Sequence, residues 1–285
     1  MELKKRILRM VALVFILTVS FFIVITLLQS KLIFVPERLP ADYAFALADH
    51  EEEHFFETVD GERLNAIWSR APGDSRATVL YFHGNAGSLR TWKEVASDFT
   101  ALGLDTFIID YRGYGKSSGR LSEAGLYHDA QAAWDYLLAK GLLPADIVIY
   151  GRSIGTGVAS ELAANVDAAR ALILESPFTS LVALAKELNP FLLPGLLLRF
   201  RFDNATKLPR AQMPILLVHG ARDGLIPASH SHKLHPPTTQ RSPAFWRPSA
   251  ERSSVTTYAM FSFCLGRGYN FHWWNFQRWK FHQWK

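Results

Sequence analysis

Gly151-Arg152-Ser153-Ile154-Gly155 sets a serine midway between two glycines, directly after the apolar run 147–150 and ahead of a helix-compatible stretch, 158–165. A serine held this way suits nucleophilic attack on an acyl carbon. The strand-to-helix turn is strained and close-packed, so it needs small residues at Gly151 and Gly155, and it leaves the hydroxyl exposed at a helix N-terminus. A glycine-rich nucleotide-binding turn would carry a phosphate-loop lysine or a following acidic residue, and would come after the first strand. Here the match follows the third parallel-type segment and neither companion is present.

Acyl transfer through a serine also needs two N–H groups aimed at the developing oxyanion, one from the residue after the nucleophile and one from the loop after an earlier strand. Ile154 supplies the first. The apolar run 77–82 ends in His83-Gly84-Asn85-Ala86-Gly87, whose glycines let the backbone turn inward, and the Asn85 N–H is the expected second donor. His83 is expected to pack beneath that loop. A histidine must take the serine proton and a carboxylate must orient it, in the chain order serine, acid, histidine. Asp223, in the loop after the apolar run 214–219, is the expected acid, with Glu175 in reserve. No histidine is assigned as the base; His230, His232, His235, His272 and His282 are the possibilities. This chemistry requires no metal and no cofactor.

The elements that would position these groups are legible along the chain. Residues 54–69 alternate around Asp60-Gly61, a hairpin signal. Short apolar runs at 77–82, 106–110, 147–150 and 171–174 are separated by helix-length segments, the pattern of a mostly parallel sheet flanked by helices. One helix is marked by Ser122 as cap, by Leu126, Ala130, Ala133 and Leu137 on one face, and by Gly141 at its end. Residues 181–201 are apolar and helical but interrupted by Pro190 and Pro194. They suit a short cap lining an acyl-sized pocket.

Residues 10–28 contain no charge over nineteen positions, about the length that crosses a bilayer. A cleaved secretory signal would have a shorter apolar stretch and small residues at its end, where Gln29-Ser30-Lys31-Leu32 stands instead. Lys4, Lys5, Arg6 and Arg9 precede the segment, and only Lys31 and Arg38 follow closely. The positive-inside rule therefore leaves the N-terminus cytoplasmic and the main domain on the other side, periplasmic in a bacterium. The expected organisation is a cytoplasmic N-terminus (1–9), a transmembrane anchor (10–28), a linker (29–40), the catalytic domain (41–234) and an atypical tail (235–285). The formal charge of +5 does not indicate nucleic acid. Residues 1–234 hold 24 Lys and Arg against 25 Asp and Glu, whereas the tail holds 7 against 1. The lone Cys264 excludes a disulfide within the chain.

Residues 83–87, Asp110-Tyr111-Arg112-Gly113-Tyr114-Gly115-Lys116-Ser117, residues 151–157 and residues 219–227 together resemble the α/β-hydrolase superfamily. Over roughly residues 33–234 the chain is most similar to its membrane-anchored, serine-aminopeptidase-like and depalmitoylase-like members. The resemblance implies an α/β-hydrolase fold and hydrolysis of an ester, thioester or amide bond in a small-molecule, lipid or peptide substrate. It also implies a further strand, a Gly-x-x-His loop and a closing helix after Asp223. The tail departs from that pattern: it is Ser/Arg/Pro-rich, nearly free of acids, and carries five of the eight tryptophans. Three explanations are open, namely a shifted reading frame that leaves the C-terminal end incomplete, a family-specific extension, and a basic aromatic segment that binds membrane or nucleic acid. The alternative to an enzyme is a membrane-anchored binding protein that keeps the hydrolase fold and lacks the base.

Overall fold

A computed structural model describes residues 2–234; the tail, with His235, Cys264, His272 and His282, lies outside the described residues. Helix α1 (Glu2–Ile33) leads to seven strands: β1 (Glu51–Glu57), β2 (Arg63–Ser69), β3 (Thr78–Phe82), β4 (Asp105–Asp110), β5 (Ile147–Arg152), β6 (Ala171–Glu175) and β7 (Ile215–Val218). They form one sheet in the order β1-β2-β4-β3-β5-β6-β7. The first two pairings in that order are antiparallel and the remaining four parallel.

Every residue of β3 and β4 is buried, as continuous apolar strands covered on both faces should be. Side chains alternate between two cores. Leu80, Phe82, Phe107, Ile109 and Ile149 face α2 (Glu123–Ala139) and α3 (Gly155–Asn165). Val79, Tyr81, Ile108, Val148 and Tyr150 face Leu89 and Ala96 from the short helical turns of 89–100. Sheet order reverses on either side of β3, so the loops leaving β3 and β5 diverge and open a crevice at the C-terminal edge of the sheet. The register, with Phe82 opposite Gly151, brings residues 83–87 and the Ser153 turn side by side.

Helix α2 matches its sequence signals. The Ser122 hydroxyl accepts the Gly125 N–H at 3.0 Å, Leu126, Ala130, Ala133 and Leu137 are buried, and Gly141 follows at a φ of +93°. Ser122→Ala is expected to cost about 1 kcal/mol, measured as a lower urea midpoint at unchanged slope.

The hairpin starts three residues earlier than the alternation indicates and closes through the five-residue turn 58–62, not a two-residue one. The Thr58 N–H donates to the Glu62 carbonyl at 2.8 Å. The tip is tied down: both guanidinium Nη atoms of the nearly buried Arg112 bond Asp60, while its Nε and backbone N–H bond the buried Asp129. Hydrogen bonds from Arg112 hold the Asp60 carboxyl well below the usual carboxylate range.

The segment expected to be a linker, 29–40, is instead helical through Ile33 and then packed. Val35–Pro36 pairs in parallel with Ala86–Gly87, the Glu37 N–H donates to the Gly87 carbonyl, and Arg38 bonds the carbonyls of Ser117 and Gly119. Phe34, 3% exposed, lies edge-on to Phe200 and Phe202. Burial of that ring and the backbone ladder hold this segment against the domain. After β6 come α4 (Leu181–Leu188), a turn at Pro190–Leu192 and a short helix at Pro194–Leu197, so the two prolines break the apolar segment where expected. The chain re-enters the sheet at β7 and runs into α5 (Ser229–Leu234).

Candidate active site

Ser153 has a φ of +53°, a left-handed backbone that a residue with a side chain enters only at a cost of about 1–3 kcal/mol. Its N–H donates to the Glu175 carbonyl on the neighbouring strand at 2.8 Å, and its own carbonyl accepts the Thr156 N–H, which starts α3. Both flanking glycines are sterically required. A Cβ on Gly151 would lie 2.6 Å from the Gly155 carbonyl oxygen and 2.7 Å from the Ala159 Cβ; one on Gly155 would lie 2.2 Å from the Phe82 carbonyl oxygen. The elbow is thus pressed against the end of β3 with Ser153 at its apex. Ser153 is half-buried, and its hydroxyl makes no hydrogen bond among the described residues.

The loop 83–87 borders this turn: a Cβ on Gly84 would lie 3.2 Å from Trp92 and 3.9 Å from the Arg152 carbonyl oxygen. Neither the Asn85 N–H nor the Ile154 N–H finds an acceptor among the described residues. The rest of Asn85 is fully engaged. Its Nδ2 donates to the Ile33 carbonyl at 2.6 Å, its Oδ1 accepts the Val35 N–H at 3.3 Å, and its carbonyl accepts the Tyr114 hydroxyl at 2.6 Å. His83 packs beneath the loop, as expected: it is fully buried, with Nδ1 at 2.6 Å from the Gly84 carbonyl oxygen and Nε2 at 3.5 Å from Asp110 Oδ1. Burial pushes the Asp110 carboxyl above its ordinary range, while the Leu89 N–H donates to both its oxygens.

Asp223 stands in the loop after β7, two strands from β5 in the sheet order. Asp223 Oδ1 accepts the Leu225 and Ile226 N–H groups at 3.0 Å, which fixes the turn, and Oδ2 lies 3.7 Å from His219 Nε2. Glu175, the reserve acid, accepts the Tyr150 hydroxyl at 2.9 Å and lies 3.5 Å from Arg152 Nε, so its carboxylate already serves the sheet edge. His230 is fully buried in α5, where its Nδ1 accepts the Thr179 N–H at 3.1 Å and its Nε2 is 3.3 Å from Glu187. Burial lowers its pKa. His232 is exposed on the same helix.

The structure therefore brings Ser153, Ile154 and Asn85 to adjacent turns and places Asp223 in the loop two strands away, while the base stays unassigned. Sequence reasoning missed the residues that hold Asn85, namely Tyr114 and the end of α1. Tyr114 sits in the Asp110–Ser117 motif, where an aromatic between two glycines was the available signal.

The sequence model of the family described as serine aminopeptidase, S33 matches residues 73–208. An uncharacterized protein of Mycobacterium tuberculosis is 35% identical over 237 residues, which span 82% of this chain and 84% of that one. The human alpha/beta hydrolase domain-containing protein 17B is 32% identical over 233 residues, 79% of this chain and 77% of that one. Among solved structures, an alpha-beta hydrolase from Vibrio vulnificus superposes with a TM-score of 0.55 at 26% identity, covering 62% of this chain and 66% of that one. An acetyl xylan esterase from Paenibacillus sp. R4 gives 0.61 at 18% identity over 78% and 85% of the two chains, a likeness of fold alone.

Proposed function

The chain belongs to the α/β-hydrolase superfamily, and from that premise we propose that it is a membrane-anchored serine hydrolase of ester, thioester or amide bonds, working through an acyl-enzyme on Ser153. The observation that carries the reading is the left-handed Ser153 at the end of β5, with its hydroxyl unbonded among the described residues and two free N–H groups beside it. Ser153 Oγ attacks the acyl carbon and passes its proton to a histidine. The Asn85 and Ile154 N–H groups hold the oxyanion. Collapse of the tetrahedral intermediate expels the leaving group, which takes that proton, and water then releases the acyl group by the same steps in reverse. Asp223 orients the histidine.

Helix α1 is long and apolar enough to cross a membrane, and its apolar stretch is unburied by the domain. We take it as a single-pass anchor with the N-terminus cytoplasmic and the hydrolase domain on the opposite side, as the basic residues ahead of it favour. The substrate is a small molecule, lipid or peptide bearing an acyl group, and nucleic acid has no part.

The test is to treat membranes holding the full chain with a fluorophosphonate probe, which captures activated serines, and to map the modified peptide. Modification at Ser153 is the expected result. A chain that is folded yet unmodified there would overturn the enzymatic reading in favour of a binding protein on the same fold.

A further inference from the structure

Outside α1, eight large apolar side chains are exposed among the described residues, and four of them fall within ten residues of the cap: Leu188, Phe191, Leu193 and Leu196. Phe191 is 92% and Leu196 81% exposed. The other four, Val35, Val59, Leu143 and Leu225, are scattered singly, as is ordinary for a surface. A contiguous apolar projection calls for a partner.

The partner is indicated by what the cap is tied to. Gln29, the first residue after the uncharged stretch 10–28, is 5% exposed; its Nε2 donates to the Leu197 carbonyl and its Oε1 accepts the Arg199 N–H at 2.8 Å. At 1.5 Å per residue the nineteen uncharged positions span about 28 Å, close to the hydrocarbon thickness of a bilayer. Gln29 then lies at the edge of that layer, and the two bonds hold the cap at the same depth. Lys186, Arg199 and Arg201 are exposed around the apolar tip, where cations meet anionic headgroups. Pro190, Pro194 and the left-handed Leu193 break the segment into short turns that project Phe191 and Leu196 outward.

We propose that the cap tip, Leu188, Phe191, Leu193 and Leu196, is seated in the interfacial layer of the same bilayer that α1 crosses. The inference rests on the reading of α1 as an anchor. It turns the C-terminal edge of the sheet toward the membrane. The cap leaves and rejoins the domain there, through the Leu181 N–H to the Arg201 carbonyl and the Ala205 N–H to the Thr179 carbonyl. Asn204 at the return lies 3.3 Å from Thr156, three residues past Ser153.

The experiment uses the full chain with Cys264→Ala, carrying a bimane fluorophore at Phe191→Cys or Leu196→Cys and reconstituted in vesicles of phosphatidylcholine and phosphatidylglycerol. Phe15→Cys reports on α1, and Leu143→Cys, at the opposite end of β5, reports on the aqueous surface. Quenching by a shallow nitroxide-bearing lipid is expected to be several-fold stronger at positions 191 and 196 than at 143, with iodide quenching correspondingly weaker. Strong lipid quenching at position 15, with 191 and 196 behaving like 143, would overturn the cap proposal and leave the anchor standing. Absence of lipid quenching at position 15 would overturn the anchor and the proposal with it.

Discussion

Ser153→Ala is expected to lower ester turnover by about 10⁴-fold or more while the protein folds as before. The first half follows from the proposed role of the Ser153 Oγ as the atom that forms the acyl bond. The second follows from the structure, since the Ser153 hydroxyl makes no hydrogen bond among the described residues, whereas the backbone bonds of the residue, to Glu175 and from Thr156, survive the change. Alanine at a φ of +53° keeps the same strain. Ser153→Gly separates function from that strain. Glycine enters the left-handed region without a Cβ clash, so this variant should be as inactive as the alanine form and melt at a higher temperature. Hydrolysis of a chromogenic ester by the three proteins, with thermal melts in parallel, reads both effects. Turnover retained by Ser153→Ala would place the nucleophile elsewhere.

Gly155→Val is expected to prevent stable folding. A Cβ there would sit 2.2 Å from the Phe82 carbonyl oxygen and 2.7 Å from that of His83. Both are backbone atoms at the end of a central strand and cannot swing aside as a flexible side chain would. Overpacking in a core typically costs about 1–3 kcal/mol, and a clash against a fixed strand exceeds that range, against a total stability of about 5–15 kcal/mol. Gly155→Ala already places that Cβ and should lower the urea midpoint clearly, whereas Gly220→Ala, in the loop after β7 with nothing within 4 Å of its Cβ, should leave it unchanged. Equal midpoints for the two alanine variants would refute the close packing of elbow against strand.

Much of this arrangement is legible along the chain because it rests on local rules. Glycine at position 151 is demanded by sterics within the elbow itself, whereas at 155 the crowding comes from the end of β3. The Ser122 cap and the apolar face of α2 follow from helix geometry. The parallel strands show as short apolar runs because both their faces are covered. The five-residue length of the hairpin turn is not legible, because Asp60 resembles an ordinary turn former while its carboxylate is committed to Arg112, a residue fifty-two positions away.

By itself, then, the sequence determined that a serine elbow follows a parallel strand, that an inward-turning glycine loop follows an earlier one, and that an uncharged stretch of membrane-crossing length precedes both. These are properties of residue type and short spacing. Only the tertiary structure decided that residues 29–38 are packed and not a tether, that the end of α1 bonds the side chain of Asn85, and that the cap is tied to Gln29. Those contacts join residues far apart in the chain through backbone carbonyls and amides, groups that every residue carries and no sequence pattern distinguishes. Their pairing is set by how β3, β5 and the cap lie in space.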